Sequence, residues 1–192
     1  MLAGQGFTEV YNLTGGIKAW QGQKAAGPAE VGMARIGGRE TPAEIIVLAY
    51  GMEEGLKSFY ALMAARSDAK EVSGLFDKLA GIEVRHQEKL FELYRDYAEA
   101  GIDKQALEQE IVVAAMEGGL TTEEFLASHQ AVLETKEEVV GLAMELETQA
   151  LDLYLRYSSA LEDDKTKEVL FQLAEEEKAH LRSLGTLMKD IV

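Results

Sequence analysis

The chain has 192 residues and a mass of 21.1 kDa, enough for one well-buried core and a small appendage. Cysteine is absent, which excludes disulfides, zinc–thiolate sites, iron–sulfur clusters and thiol catalysis, and favours a cytoplasmic location. The net charge of -15 argues against nucleic-acid and anionic-membrane partners. The longest apolar run, residues 45–50, is too short to span a bilayer, and no secretory signal is expected at the N-terminus.

Residues 1–40 differ in composition from the rest of the chain. They are rich in glycine and contain the only tryptophan, Trp20. Residues 6–13 alternate like a short strand, Gly15 and Gly16 interrupt the pattern, and residues 17–20 begin a helical turn. One strand and one short helix bury too little surface to be stable alone. The composition therefore separates a segment 1–40 from a domain 41–192.

Four long helices are predicted in the domain. They cover about residues 42–66, 69–97, 135–160 and 164–190. The first and third begin with the same capping-box pattern, a threonine followed three residues later by a glutamate, at Thr41 and Glu44 and at Thr135 and Glu138. These two glutamates are therefore predicted to be helix caps.

The connections between the helices indicate the topology. Short breaks near residues 67–68 and 163–164 predict two antiparallel hairpins, whereas residues 98–134 are long enough to run back along a bundle. This crossover has helical patterns of its own, with an apolar face at Leu107, Ile111 and Ala115 and a capped turn at Thr121. The predicted fold is all-α, a ferritin-like four-helix bundle made of two antiparallel hairpins and a long crossover.

The two hairpins repeat each other at a constant offset of 94 residues without a gap. An internal duplication explains this most simply. The matched positions include the polar residues of the helices as well as the apolar ones: Glu53 with Glu147, Tyr60 with Tyr154, Glu83 with Glu177, and His86 with His180.

Six polar residues lie within the apolar stripes of the predicted helices. Glu83 and His86, for example, share a stripe with Phe76, Leu79 and Leu90. Four carboxylates and two imidazoles buried without partners would cost more than the roughly 5–15 kcal/mol net stability of a domain. Two divalent cations would balance the four carboxylates, and neutral imidazoles would complete the ligand shells. The predicted metal ligands are Glu53, Glu83, His86, Glu147, Glu177 and His180; the alternative is an ionic network in the core.

The repeat also separates these residues from neighbouring acids. Glu54, Glu175 and Glu176 fall outside the matched stripe positions. Glu54 is predicted to lie on the flank of its helix, and Glu175 and Glu176 are predicted to be solvated. Tyr60 and Tyr154 are expected to be core residues with satisfied hydroxyls, at most hydrogen-bonded to metal ligands. Outside the pattern, His129 is interpreted as a structural or surface residue.

Residues 41–190 resemble a rubrerythrin-type ferritin-like domain, through Glu53, the Glu83-x-x-His86 motif, Glu147 and the Glu177-x-x-His180 motif. The resemblance implies two iron ions per chain, with Glu83 and Glu177 bridging or chelating and the other four as terminal ligands. Manganese or zinc also suit glutamate and histidine. The rubrerythrin resemblance further implies that the protein reduces hydrogen peroxide or dioxygen, or oxidises ferrous iron, and that it forms a homodimer.

Two departures from the rubrerythrin pattern affect the expected reaction. Full rubrerythrins carry a cysteine-rich rubredoxin module, and this chain has no cysteine, so electrons would come from an external rubredoxin-like or flavoprotein donor. Many rubrerythrins have a further glutamate where this sequence has Met144. A ferroxidase or a simpler di-iron oxidase is therefore expected as readily as a peroxidase, and a non-catalytic iron-binding or storage protein is the alternative.

Residues 1–28, with the sequence GFTEVYNLTGGIKAW followed by Gly27 and Pro28, resemble the closing strand and helix of a rhodanese domain. Rhodaneses transfer sulfur through a cysteine that lies upstream of this part, so the chain as it stands is not expected to be a sulfurtransferase. A scaffold role in a larger rhodanese–ferritin fusion that handles sulfur is a further alternative.

Overall fold

The computed structural model describes residues 39–98, 103–111, 122 and 133–191, and most of them are helical. The helices are α1 (Pro42–Arg66), α2 (Lys70–Tyr97), the short α3 (Lys104–Glu110), α4 (Lys136–Ala160) and α5 (Asp164–Ile191). The four long helices begin and end within one residue of the predicted bounds. The prediction of an all-α helical bundle is confirmed.

Both predicted capping boxes are formed. The Thr41 amide donates to the Glu44 carboxylate at 2.8 Å, and the Glu44 amide donates to the Thr41 hydroxyl at 3.3 Å. At the start of α4, the Thr135 and Glu138 pair repeats these two bonds at 2.9 and 3.2 Å. Each box satisfies two amides that the first helical turn would otherwise leave unpaired. The two hairpins therefore begin in the same way.

The long helices are arranged as two hairpins. Residues 67–69 join α1 to α2 and residues 161–163 join α4 to α5, and the partners in each hairpin pack along their length. The hairpins meet through α1 with α5 and through α2 with α4. The Thr166 hydroxyl, near the start of α5, donates to the Glu40 carbonyl at 3.2 Å, which ties the beginnings of α1 and α5 together.

The buried apolar side chains form two clusters, one towards each end of the bundle. Along α1, the first cluster includes Met52 and the second includes Leu56. The change from one cluster to the other occurs on each long helix at the position of a buried glutamate. A polar layer therefore divides the apolar core near its middle.

The short helix α3 packs on the first cluster. Leu107 is fully buried in that cluster, as its apolar pattern predicts. The Tyr50 hydroxyl donates to Glu108 at 3.1 Å, and the Tyr94 hydroxyl donates to Glu110 at 3.3 Å. Burial, followed by the hydrogen bond to a carboxylate, raises the pKa of Tyr50. The start of the crossover is thus fixed on α1 and α2.

Several predictions fall outside the described residues. They are the strand and helical turn of residues 6–20, the apolar position Ala115, the capped turn at Thr121, and His129. Among the residues that the structure does describe, no helix is both long and apolar enough to cross a membrane.

Candidate metal centre

The polar layer contains the six predicted ligand residues. Helix α1 contributes Glu53, α2 contributes Glu83 and His86, α4 contributes Glu147, and α5 contributes Glu177 and His180. Five of them are buried, and the His180 side chain is 11% exposed. The spacing of three residues within α2 and within α5 puts each glutamate and histidine on one helical face, as the repeat predicts. The structure therefore brings all six together in two groups.

The first group joins α1 and α2. The Nδ1 atom of His86 lies 2.7 Å from Oε2 of Glu83 and 3.5 Å from Oε2 of Glu53. The Oε2 atom of Glu83 and the Nδ1 atom of His86 are within ion-pair distance of each other, yet neither makes a hydrogen bond. Two buried ligand atoms that lie close together without a hydrogen bond are suited to binding the same metal ion.

The second group joins α4 and α5 with nearly the same geometry. The Nδ1 atom of His180 lies 2.9 Å from Oε2 of Glu177 and 3.1 Å from Oε2 of Glu147. In contrast to the first group, both contacts are hydrogen bonds. The Nε2 atom of His180 is buried and has no partner.

The two groups meet through their histidines. The rings of His86 and His180 are stacked, with centroids 3.6 Å apart and planes inclined by 7°. Each ring turns Nδ1 towards the carboxylates of its own hairpin. The contact between the rings therefore brings the two groups side by side.

The three residues of the second group differ in how readily they ionise. Burial raises the pKa of Glu177 well above its ordinary value, and the hydrogen bond with Glu147 raises it further. Burial also opposes ionisation of Glu147, but hydrogen bonds with Glu177 and His180 outweigh this and lower its pKa. Burial disfavours the charged form of His180, yet the two carboxylates raise its pKa to about 10. These shifts favour the neutral form of Glu177, the ionised form of Glu147 and the protonated form of His180.

The residues present fit a pair of divalent cations. Within each group the candidate ligand atoms lie within 4.8 Å of one another. Ligands held about 2.0–2.2 Å from one metal are separated by up to about 4.4 Å, so small side-chain adjustments suffice. Carboxylate and imidazole donors without any thiolate suit iron, manganese or zinc. The two Glu/Glu/His groups could thus hold two metal ions, and a metal would replace the protons that neutralise the second group.

A small cleft leads to the histidine side of the centre. It has a volume of about 40 Å³ and is lined by both histidines, by Glu53 and Glu177, and by residues of α2 and α5 farther out. Tyr154 also lines it, and its side chain is almost fully buried. Tyr60, the counterpart of Tyr154, is fully buried against Phe59 and Phe76, as expected for a core residue.

Gln87, which follows His86, was not predicted to have a role. Its side chain is buried and donates to Glu54 at 2.8 Å, and Lys57 donates to Gln87 at 3.3 Å and to the same Glu54 carboxylate. Glu54 was predicted to lie on the flank of its helix, and it is half-buried in this network. The spacing of Gln87, four residues after Glu83, places it on the same helical face and could have indicated it.

Glu176 was predicted to be solvated, and it is partly exposed. It accepts a bond from Lys89 at 2.8 Å, which joins α5 to α2. Glu175 is exposed and pairs with Lys178 on its own helix at 2.7 Å. The repeat therefore correctly distinguishes Glu177 from its two acidic neighbours, since only Glu177 is fully buried.

No protein-family model matches this sequence, and no curated protein matches it. Among solved structures, a hypothetical protein from Pyrococcus furiosus is similar, with 19% sequence identity and a TM-score of 0.45. The similarity covers 78% of this chain and 89% of that chain. A likeness at this level carries no information on function, which must therefore be inferred from the site.

Proposed function

We propose that this protein is a di-iron carboxylate oxidoreductase of the rubrerythrin type. It would reduce hydrogen peroxide or dioxygen with electrons from an external donor, or oxidise ferrous iron. The observation that supports this most strongly is the pair of buried Glu/Glu/His groups with stacked histidines in the middle of a helical bundle. Buried polar atoms in a purely ionic core are expected to be hydrogen-bonded, whereas Oε2 of Glu83, Nδ1 of His86 and Nε2 of His180 make no hydrogen bond.

Each ligand residue has a proposed role. Glu83 and Glu177, on the helices that also carry the histidines, would bridge or chelate, while Glu53 and Glu147 would be terminal carboxylates. His86 and His180 would bind through Nδ1, the atom that each turns towards its carboxylates. Iron, when bound, would supply or accept the electrons of the reaction. The carboxylates could change between one-oxygen and two-oxygen binding as the charge of the site changes.

The surroundings of the site favour a small oxidant. The cleft of about 40 Å³ has room for roughly three water-sized molecules, which accommodates dioxygen or hydrogen peroxide and excludes a large organic substrate. Met144 occupies the position of the additional glutamate of many rubrerythrins, and it packs on the apolar cluster instead. An oxidase or ferroxidase with six protein ligands is therefore proposed alongside the peroxidase.

The proposal is tested by purifying the protein without oxygen, reconstituting it with ferrous iron, and measuring metal content and the absorption spectrum before and after peroxide. Two irons per chain and a spectrum that responds to peroxide are expected. Less than one metal ion per chain after reconstitution would contradict the site assignment.

Turnover separates the enzyme from a storage or delivery protein. Steady-state consumption of peroxide, with a chemical reductant as electron source, is expected to be catalytic and to require bound iron. Two bound irons that react once and do not turn over would instead support a non-catalytic iron-binding protein.

A further inference from the structure

The cleft beside the two histidines is bounded on its outer side by an ion pair. Lys89 on α2 and Glu176 on α5 both line the cleft, and their charged atoms are 2.8 Å apart. The remaining lining includes the apolar Leu90, Leu93 and Leu173 and the polar, uncharged Gln172. The ion pair is therefore a charged connection between two helices at an entrance that is otherwise uncharged outside the proposed ligands.

This ion pair is exposed and easily broken. The side chains of Lys89 and Glu176 are 60% and 43% exposed, and ion pairs of that kind contribute only about 0–1 kcal/mol. The long lysine side chain can swing into solvent without disturbing any buried group. Opening of the entrance therefore requires little free energy.

The cleft of about 40 Å³ has little room for a divalent cation that keeps its full hydration shell. When Lys89 pairs with Glu176, its positive charge also repels an approaching cation. When Lys89 moves away, the carboxylate of Glu176 becomes available next to Glu177, a proposed ligand. Glu176, released from its ion pair with Lys89, would then attract the cation to the entrance.

We infer that this cleft is the route by which divalent metal ions reach the centre, with Lys89 restricting entry and Glu176 acting as the first carboxylate that the incoming ion meets. The inference rests on the proposed metal centre. It makes Lys89 and Glu176 determinants of the rate of metal entry, and it assigns them no part in the final ligand set.

The two members of the pair are expected to have opposite effects on metal loading. Lys89→Ala should increase the rate of ferrous-ion uptake about 3- to 10-fold at low ionic strength, since it removes a repulsive charge and the closure together. Glu176→Gln should leave uptake slower than in the wild type, because the attracting carboxylate is lost although the entrance can open. Both differences should shrink in high salt, where exposed charges are screened.

A neighbouring ion pair provides matched controls. Lys178 and Glu175 lie 2.7 Å apart on α5 and do not line the cleft. Lys178→Ala and Glu175→Gln therefore change the net charge of the chain as the two test substitutions do, without altering the entrance. They are expected to change the uptake rate less than 2-fold. Circular dichroism of all four variants checks that the helices are intact.

The experiment mixes metal-free protein with ferrous ion under anaerobic conditions and follows the remaining free ion with bipyridine, together with the final metal content. Two metals per chain in every variant, with Lys89→Ala faster and Glu176→Gln slower than their controls, would support the inference. Normal metal content with rates equal to the controls would overturn it and leave the metal centre in place. If the wild-type chain binds no metal, the proposed function fails, and the inference fails with it.

Discussion

The two hairpins of the bundle carry matching ligand groups in unequal surroundings. The contacts of His86 to Glu83 and Glu53, at 2.7 and 3.5 Å, resemble those of His180 to Glu177 and Glu147, at 2.9 and 3.1 Å. In the first hairpin a network of Glu54, Lys57 and Gln87 lies beside the ligands. The sequence offset of 94 residues places Thr148, Leu151 and Leu181 at the corresponding positions of the second hairpin.

The comparison of the two hairpins separates positions where both halves have the same residue from positions where they differ. Positions that face the polar layer are the same in both hairpins, since a change there would leave a buried carboxylate or imidazole unbalanced. Positions one residue away differ, because a polar network and an apolar contact can both fill the flank of a helix. The two metal positions are therefore expected to have the same ligands and different affinities.

Removal of one histidine should have the largest effect. His86→Ala and His180→Ala should each lower metal affinity in their own hairpin by more than the roughly 10–100-fold typical of residues that only support a ligand. Activity should be lost in both variants, because the proposed reaction needs both ions. Metal content and peroxide consumption measured on the same samples check this.

Glu175→Ala is the control for the histidine variants, since Glu175 is exposed and outside the ligand groups. The metal centre would be contradicted if the histidine variants failed to fold and the wild-type protein bound no metal. That result would favour an ionic core.

Substitution of the glutamates of the second hairpin should separate metal binding from stability. In metal-free protein at pH 7, Glu177→Gln should change the free energy of unfolding by less than about 1 kcal/mol, because burial raises the pKa of Glu177 and so favours a neutral carboxyl group, which glutamine resembles. Glu147→Gln should destabilise by about 1–3 kcal/mol, since it removes the charged partner of His180. Both variants should bind less metal.

Urea unfolding of chelator-treated protein measures these changes. Equal destabilisation by the two substitutions would show that Glu177 and Glu147 do not differ in ionisation as inferred. Glu83→Gln and Glu53→Gln are the matching substitutions in the first hairpin. Their changes in the free energy of unfolding show whether the carboxylates of the two hairpins contribute to stability in the same way.

The network beside the first group should have a smaller effect. Gln87→Leu makes this flank resemble that of the second hairpin and leaves Glu54 and Lys57 without their buried partner, so it should destabilise by about 1–2 kcal/mol. If the network distinguishes the two metal positions, the substitution should also bring their affinities closer together. Calorimetric titration with a divalent metal measures this, and two unchanged affinities would show that the flank does not influence them.

The capping boxes should give the smallest effect, and one that is alike in both hairpins. Hydrogen bonds from the backbone amides of Thr41 and Thr135 lower the pKa of Glu44 and Glu138 below the usual 4.5. The stabilisation is therefore present above about pH 4.5 and is lost as the pH falls through the lowered values. Glutamine can make the same bonds without titrating. The variants Glu44→Gln and Glu138→Gln should lose less stability between pH 6 and pH 3 than the wild type.

Urea unfolding over that pH range checks this, with Glu137→Gln as the control because Glu137 is in the first turn of α4 but outside the capping box. A wild-type pH dependence in both capping variants would indicate that other carboxylates dominate acid unfolding.

Much of the fold could be predicted because its signals are local. Helix bounds follow from the apolar period, and Thr41 and Thr135 mark two starts through contacts that span only three residues. The positions of the buried polar residues could be predicted because the repeat aligns Glu53 with Glu147 and His86 with His180. The roles of Gln87 and Lys89 could not, because their partners are on other helices, 33 and 87 residues away.

The sequence by itself determined the helices, the two hairpins and the six polar positions in their apolar stripes. These depend on the helical period and on capping, which act between residues only a few positions apart. The tertiary structure alone decided that the histidines stack, that a network lies beside only one ligand group, and that an ion pair bounds the cleft. Those features depend on how separate helices are placed against one another, and a periodic pattern fixes which face of a helix is buried without fixing which side chain it meets.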